Sequence, residues 1–133
     1  MDLATARRII QAGEQAAQDI NASMTIAVAD TGGHVVAIER MDGTPFMTVE
    51  VATAKAFTAA SVGVPGVQLE AMIGGYPTFV AATASLFHGR FLPAQGSIPV
   101  FVDDTLIGGV GASGGSAQQD DDVAKAAAAG ASG

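Results

Sequence analysis

The chain has no cysteine and no tryptophan, and only one tyrosine and six phenylalanines among 133 residues. Without cysteine there is neither a disulfide nor thiolate chemistry, and the redox compartment stays open. With aromatics at 5 %, the core has to be built from aliphatic and small side chains, alanine above all. Positive charge is scarce as well. Six Lys and Arg stand against 13 Asp and Glu, a net charge of −7, and such a chain lacks the basic surface that nucleic acid requires. No run approaches the ~18 apolar residues of a membrane span. The start, Met1-Asp2-Leu3-Ala4-Thr5-Ala6-Arg7-Arg8, has no hydrophobic signal core. These absences predict one cytoplasmic domain, long enough to bury a core, with no membrane or nucleic-acid partner.

Glycine is plentiful, and it gathers in Leu106-Ile107-Gly108-Gly109-Val110-Gly111-Ala112-Ser113-Gly114-Gly115-Ser116. The run reads as a strand that turns straight into a helix. Gly109, Gly111 and Gly114 match the GxGxxG spacing of dinucleotide sites. That reading needs a second parallel strand and an acidic residue about 20 positions further on. Only an alanine-rich helix follows, so a dinucleotide site is not expected. The glycines instead let a backbone, a neighbouring subunit or a flat ligand approach the strand, and they leave free N–H groups where a helix begins.

Asp2 suits the cap of a first helix over about residues 3–21, with Leu3, Ala6, Ile10, Gly13, Ala17 and Ile20 on its apolar face. Met24 to Asp30 and His34 to Met41 read as a hairpin around Thr31-Gly32-Gly33. Pro45 fits the first turn of a helix over 45–61, with Phe46, Val49, Thr53, Phe57 and Ala60 on one face and Lys55 opposite. A short helix over 67–73 and a weaker one over 76–86 follow. Leu92 to Gln95, Ile98 to Val102 and Thr105 to Ala112 are candidate strands. Ser116 with Gln119 makes a capping box for the last helix, and residues 130–133 read as a disordered tail after a single domain over 1–129. Hairpin connections predict a mostly antiparallel sheet of about five strands, flanked by helices.

Candidate chemistry is sparse. Lys55 is the only lysine before Lys125, and its neighbours Val51 and Ala59 are apolar. A solvated lysine is the simpler account; the functional one is a cation for an acidic ligand, on an alanine-rich face that a second subunit covers. Arg40 ends a strand, either in a surface ion pair or as a planar fork for a carboxylate. His34 follows a turn and reads as a solvated hairpin residue. His88 lies in Phe87-His88-Gly89-Arg90-Phe91, a setting for an axial haem ligand, a proton-transfer group or plain packing. No metal-ligand spacing accompanies either histidine. Asp120, Asp121 and Asp122 read as dipole-stabilising residues on a solvated helix start.

Asp30-Thr31-Gly32-Gly33-His34, Glu39-Arg40-Met41-Asp42-Gly43, Ala54-Lys55-Ala56 with Thr58-Ala59-Ala60, and the Gly108 to Gly115 run with Gln119-Asp120 together resemble the GlcG-like and haem-binding-protein family. Its members include the C-terminal domain of certain cobalamin adenosyltransferases. The resemblance covers nearly the whole chain in order. It implies a profilin-like α/β/α sandwich (α+β) around a five-stranded antiparallel sheet, homo-oligomers from dimer to octamer, and haem binding in some members. Gly96-Ser97-Ile98-Pro99 departs from the family's Gly-Gly-x-Pro, and Asp104-Thr105 from its Asp-Gly. Two functions follow as expectations. One is a haem- or small-molecule-binding accessory protein, with haem as the candidate cofactor. The other is a small cofactor-independent lyase, isomerase or hydrolase that moves a proton on a carboxylate metabolite. Either way the expected ligand pocket holds Arg40, Lys55, His88 and the turn Ser113, Gly114 and Gly115, with iron ligated by His88 or His34.

Overall fold

Asp2 caps the first helix by accepting the Thr5 N–H at 2.8 Å, and α1 runs Leu3–Asp19 in a computed structural model that describes residues 1–133. Its buried face is Ala6, Ile9, Ile10, Gly13 and Ala17. Leu3 and Ile20, expected on that face, stand at the two ends of the helix and are largely exposed. The hairpin follows as β1 (Thr25–Ala29) and β2 (Val35–Arg40). Next come α2 (Thr48–Val62), α3 (Gly66–Ile73), α4 (Pro77–Leu86), β3 (Ser97–Val102), β4 (Thr105–Ser113) and α5 (Ala117–Ala129). Ser116 and Gln119 form the capping box of α5.

The sheet is antiparallel throughout, in the order β2-β1-β4-β3. It has four strands, not about five. Leu92 to Gln95 stays outside it for a physical reason. Pro93 has no N–H to give a ladder, the Leu92 N–H goes to the Thr58 hydroxyl at 2.8 Å, and the Ala94 carbonyl packs onto Gly66 at the start of α3. The disordered tail is also not what the structure has: Gly130–Ser132 form a 3-10 turn, Ala131 is buried, and Arg8 donates to the Ala131 carbonyl at 3.2 Å.

Every residue of β1 is buried, because helices cover both faces of the sheet. Met24, Ile26 and Val28 join Val100, Val110 and Ala112 under α1 and α5. Ala27 and Ala29 pack on Ala52 and Ala56 of α2 across the other face, and Thr25 shares a 2.7 Å hydrogen bond with Thr48 there. This is a three-layer arrangement of helix, sheet and helix. No single helix is long and apolar enough to cross a membrane; α2 and α3 together reach that length but are bent by 73°.

The α2 helix reverses its expected orientation. Its buried face is Thr48, Ala52, Lys55, Ala56 and Ala59, while Phe46 is 80 % exposed. The glycines of β4 explain this. A Cβ on Gly109 would run into the Ala56 carbonyl oxygen, and one on Gly111 into the Ala52 carbonyl oxygen. Bare backbone on the strand and alanine on the helix let the two approach closely, and dispersion contacts between backbones replace those of large side chains. The alanine face around Lys55 is therefore covered by the chain's own sheet and not by a second subunit. The free apolar surface lies on α4, where no residue is buried and Phe79 and Leu86 are exposed.

Candidate functional site

Within one chain the expected residues do not form a single pocket. Lys55 is buried, and its ammonium donates to the Ala112 carbonyl at 2.9 Å and to Asp120 Oδ2 at 3.0 Å. It bridges α2, β4 and α5 and has no free face for a ligand acid. Asp120 and Asp121, read as solvated, are buried with it. Asp120 Oδ1 accepts the Gly115 N–H at 2.8 Å, and Asp121 Oδ1 accepts the Gly96 N–H at 3.1 Å. The Ser116 N–H goes to Gln119 at 3.0 Å, Ser113 is buried, and Gly114 backs onto the Ser23 carbonyl. The amides of the Ser113-Gly114-Gly115 turn at Gly115 and Ser116 thus serve the fold and not an anion.

Arg40 lies across Thr25 from Ser113 in the sheet register, and its guanidinium donates to the Thr44 carbonyl at 3.1 Å. It lines a cleft of about 380 Å³ whose other charged members are Glu14, Glu39 and Asp42. That surroundings repels a carboxylate ligand. Burial, a hydrogen bond with Glu39 and the Glu39 charge hold the Glu14 carboxyl above its ordinary 4.5. A carboxyl raised in the folded state stabilises the fold fully below about 4.5 and loses that contribution as pH climbs through the raised value. Stability measured by urea unfolding is thus expected to fall over that window in the natural protein. Glu14→Gln should flatten the fall, and an unchanged profile would contradict the pairing.

His88 adopts a left-handed backbone, φ +55°, and Gly89 follows at φ +81°. The two turn the chain out of α4. His88 lines a cleft of about 310 Å³ with Glu50, Thr53 and Arg90, and none of the other five expected residues joins it.

A different cleft combines the chemistry. The Asp30 carboxylate accepts the Gly32 N–H at 2.9 Å and the His34 N–H at 3.0 Å, which closes the β1–β2 turn on a side chain. These bonds, the one from His34 foremost, hold the Asp30 pKa below its ordinary value. The same Oδ1 lies 3.3 Å from His34 Nδ1. Gly33, at φ +82°, seats the turn on the Phe57 ring, where a Cβ would be 2.6 Å from the ring edge. Phe57 in turn stacks at a tilt on Phe87, ring centroids 5.6 Å apart. The Arg90 guanidinium lies 4.5 Å above Phe57 and donates to the Phe87 carbonyl at 3.1 Å. His34, Phe57, Phe87, Arg90 and Phe91 line a cleft of about 540 Å³. In a chain with seven aromatic residues, three meeting at one cleft with a cation and an imidazole is a concentrated binding surface. The sequence pattern places Phe57 on the helix face opposite Lys55 and reads His34 as a solvated hairpin residue. The legible signal was the pairing of a glycine turn carrying histidine with the Phe87 to Phe91 segment.

Residues 1–129 match the family model described as haem degrading protein HbpS-like. Protein GlcG of Escherichia coli K12 is 42 % identical over 109 residues, covering 81 % of this chain and 77 % of its own. The crystal structure of Klebsiella pneumoniae protein ORFY superposes with a TM-score of 0.88 at 27 % identity, over 98 % of this chain and 90 % of that one. A crystal structure of a PduOC–haem complex gives 0.85 at 26 % identity, over 98 % and 94 %. With nearly its whole length matched, in a fold shared with these proteins, the chain belongs to the HbpS-like family.

Proposed function

We propose that this protein binds haem in the His34 cleft and acts as a haem-binding accessory protein. The observation that carries the reading is an exposed imidazole with one ring nitrogen 3.3 Å from a carboxylate, at the mouth of an aromatic cleft that also holds a guanidinium. The residues fit the group. His34 Nε2 has no partner in the chain and is the nitrogen to ligate iron; Phe57, Phe87 and Phe91 offer apolar surface to a flat macrocycle; Arg90 offers a fork for a propionate. Bound haem would supply an iron centre whose reactivity its ligand and surroundings set. The chain's part is to orient the ring, shield one face and neutralise an acid. The haem complex of a structural neighbour supports the same reading. The carboxylate-metabolite enzyme needs Arg40 or Lys55 for the anion, but Asp120 already meets the charge of Lys55, and Glu14, Glu39 and Asp42 share the cleft of Arg40.

Titration with haem is expected to give a saturable Soret shift in the natural protein. His34→Ala should weaken binding by at least the roughly tenfold that loss of an outer-shell metal partner costs, and His88→Ala should leave it unchanged. The reverse pattern would move the site to His88.

The same reading includes self-association through α4. A ten-residue helix is too short to persist alone in water, and this one has no fully buried residue within the chain. A second copy packed on Phe79 and Leu86 supplies the missing layer, giving a dimer as the unit of larger assemblies up to the octamer. Light scattering should show a mass at least twice 13.2 kDa, lowered to the monomer by Phe79→Asp. A monomer in the natural protein would contradict it.

A further inference from the structure

We infer that Asp30 is a positioning residue that orients His34 and strengthens it as an electron donor, so that the site favours oxidised over reduced iron. The inference rests on the haem reading above and goes beyond it. The His34 side chain is 80 % exposed, and three contacts orient its ring. Its backbone N–H and its Nδ1 both face one carboxylate oxygen, at 3.0 and 3.3 Å. That oxygen is itself held by the Gly32 N–H at 2.9 Å. The ring also lies over Gly32, where a Cβ would be 2.9 Å from both Nδ1 and Cε1.

A carboxylate beside Nδ1 favours the tautomer with its proton there, which leaves Nε2 as the ligating atom and strengthens its donation to iron. A stronger donor with a carboxylate behind it stabilises the higher charge on iron and lowers the reduction potential. The glycine pair of the turn thereby has two separate tasks. Gly33 lets the turn sit on Phe57, and Gly32 leaves the imidazole room to reach Asp30.

Haem titration and potentiometry on the haem-loaded full chain test this. Asp30→Asn keeps an oxygen acceptor for the Gly32 and His34 N–H groups, so the turn survives while the charge is lost. It should raise the ferric/ferrous midpoint potential and weaken haem binding about tenfold. Gly32→Ala keeps the charge but pushes the ring off it, and should move the potential in the same direction. Saturable haem binding in the natural protein with an unchanged potential in both variants would overturn the role of Asp30 and leave the haem reading standing. No saturable binding in the natural protein would overturn both.

Discussion

Lys55→Met is expected to destabilise the protein by about 3–5 kcal/mol, the usual result of removing one partner from a buried ion pair. The side chains of Lys55 and Asp120 are only 6 % and 9 % exposed. Methionine fills the space but leaves the Asp120 charge with the Gly115 N–H alone, and the Ala112 carbonyl loses the ammonium. Urea unfolding would read the change as a lower midpoint at constant slope. Adding Asp120→Asn to Lys55→Met should recover part of the loss, because the orphaned charge goes while an oxygen remains for Gly115. A single-variant loss below about 1 kcal/mol, typical of exposed pairs, would show that the pair is not buried.

Gly111→Val is expected to be as damaging or more so. The position tolerates a side chain in its backbone angles, so the cost is one of space alone. A Cβ there meets the Ala52 carbonyl oxygen, the Ala56 nitrogen at 2.7 Å and Lys55 Cβ at 2.8 Å. Two of these are backbone atoms of α2 and cannot step aside as a rotamer would, so the helix must lift from the sheet. Overpacking of this kind costs about 1–3 kcal/mol for a small insertion into a packed core, and valine adds two methyl groups beyond that. Gly75→Ala, with nothing within 4 Å of the added atom, is the control and should be close to neutral. Equal stability of the two variants would contradict the close approach of α2 to β4.

The elements themselves were largely legible. Period-3.6 and period-2 patterns, the Asp2 cap and the Ser116–Gln119 box locate α1, the hairpin and α5 to within about two residues of their ends. What failed was the rule that the larger hydrophobic face points inward. In α2 that rule selects Phe46 and Phe57, but a strand bare at Gly109 and Gly111 has room only for alanine. The small residues face in, and Lys55 goes with them. The same error hid the site. An apolar face that holds Phe57 reads as core and not as a cleft wall, and Lys55 on the opposite face looks free for a ligand. Asp120 and Asp121 escape the sequence pattern for a related reason, since a run of three acids resembles a solvated helix start until the fold places a lysine beside it. Burial on both faces, which a single chain's periodicity does not report, decided each case.

The most direct test of the haem reading uses the fact that the chain has only two histidines. Protein labelled with nitrogen-15 in histidine, loaded with ferric haem, can be read by electron–nuclear double resonance for hyperfine coupling to an imidazole nitrogen. The account predicts a labelled-nitrogen coupling in the natural protein that persists in His88→Ala and disappears in His34→Ala. Coupling that survives in His34→Ala and is lost in His88→Ala, or no histidine coupling at all, would contradict it.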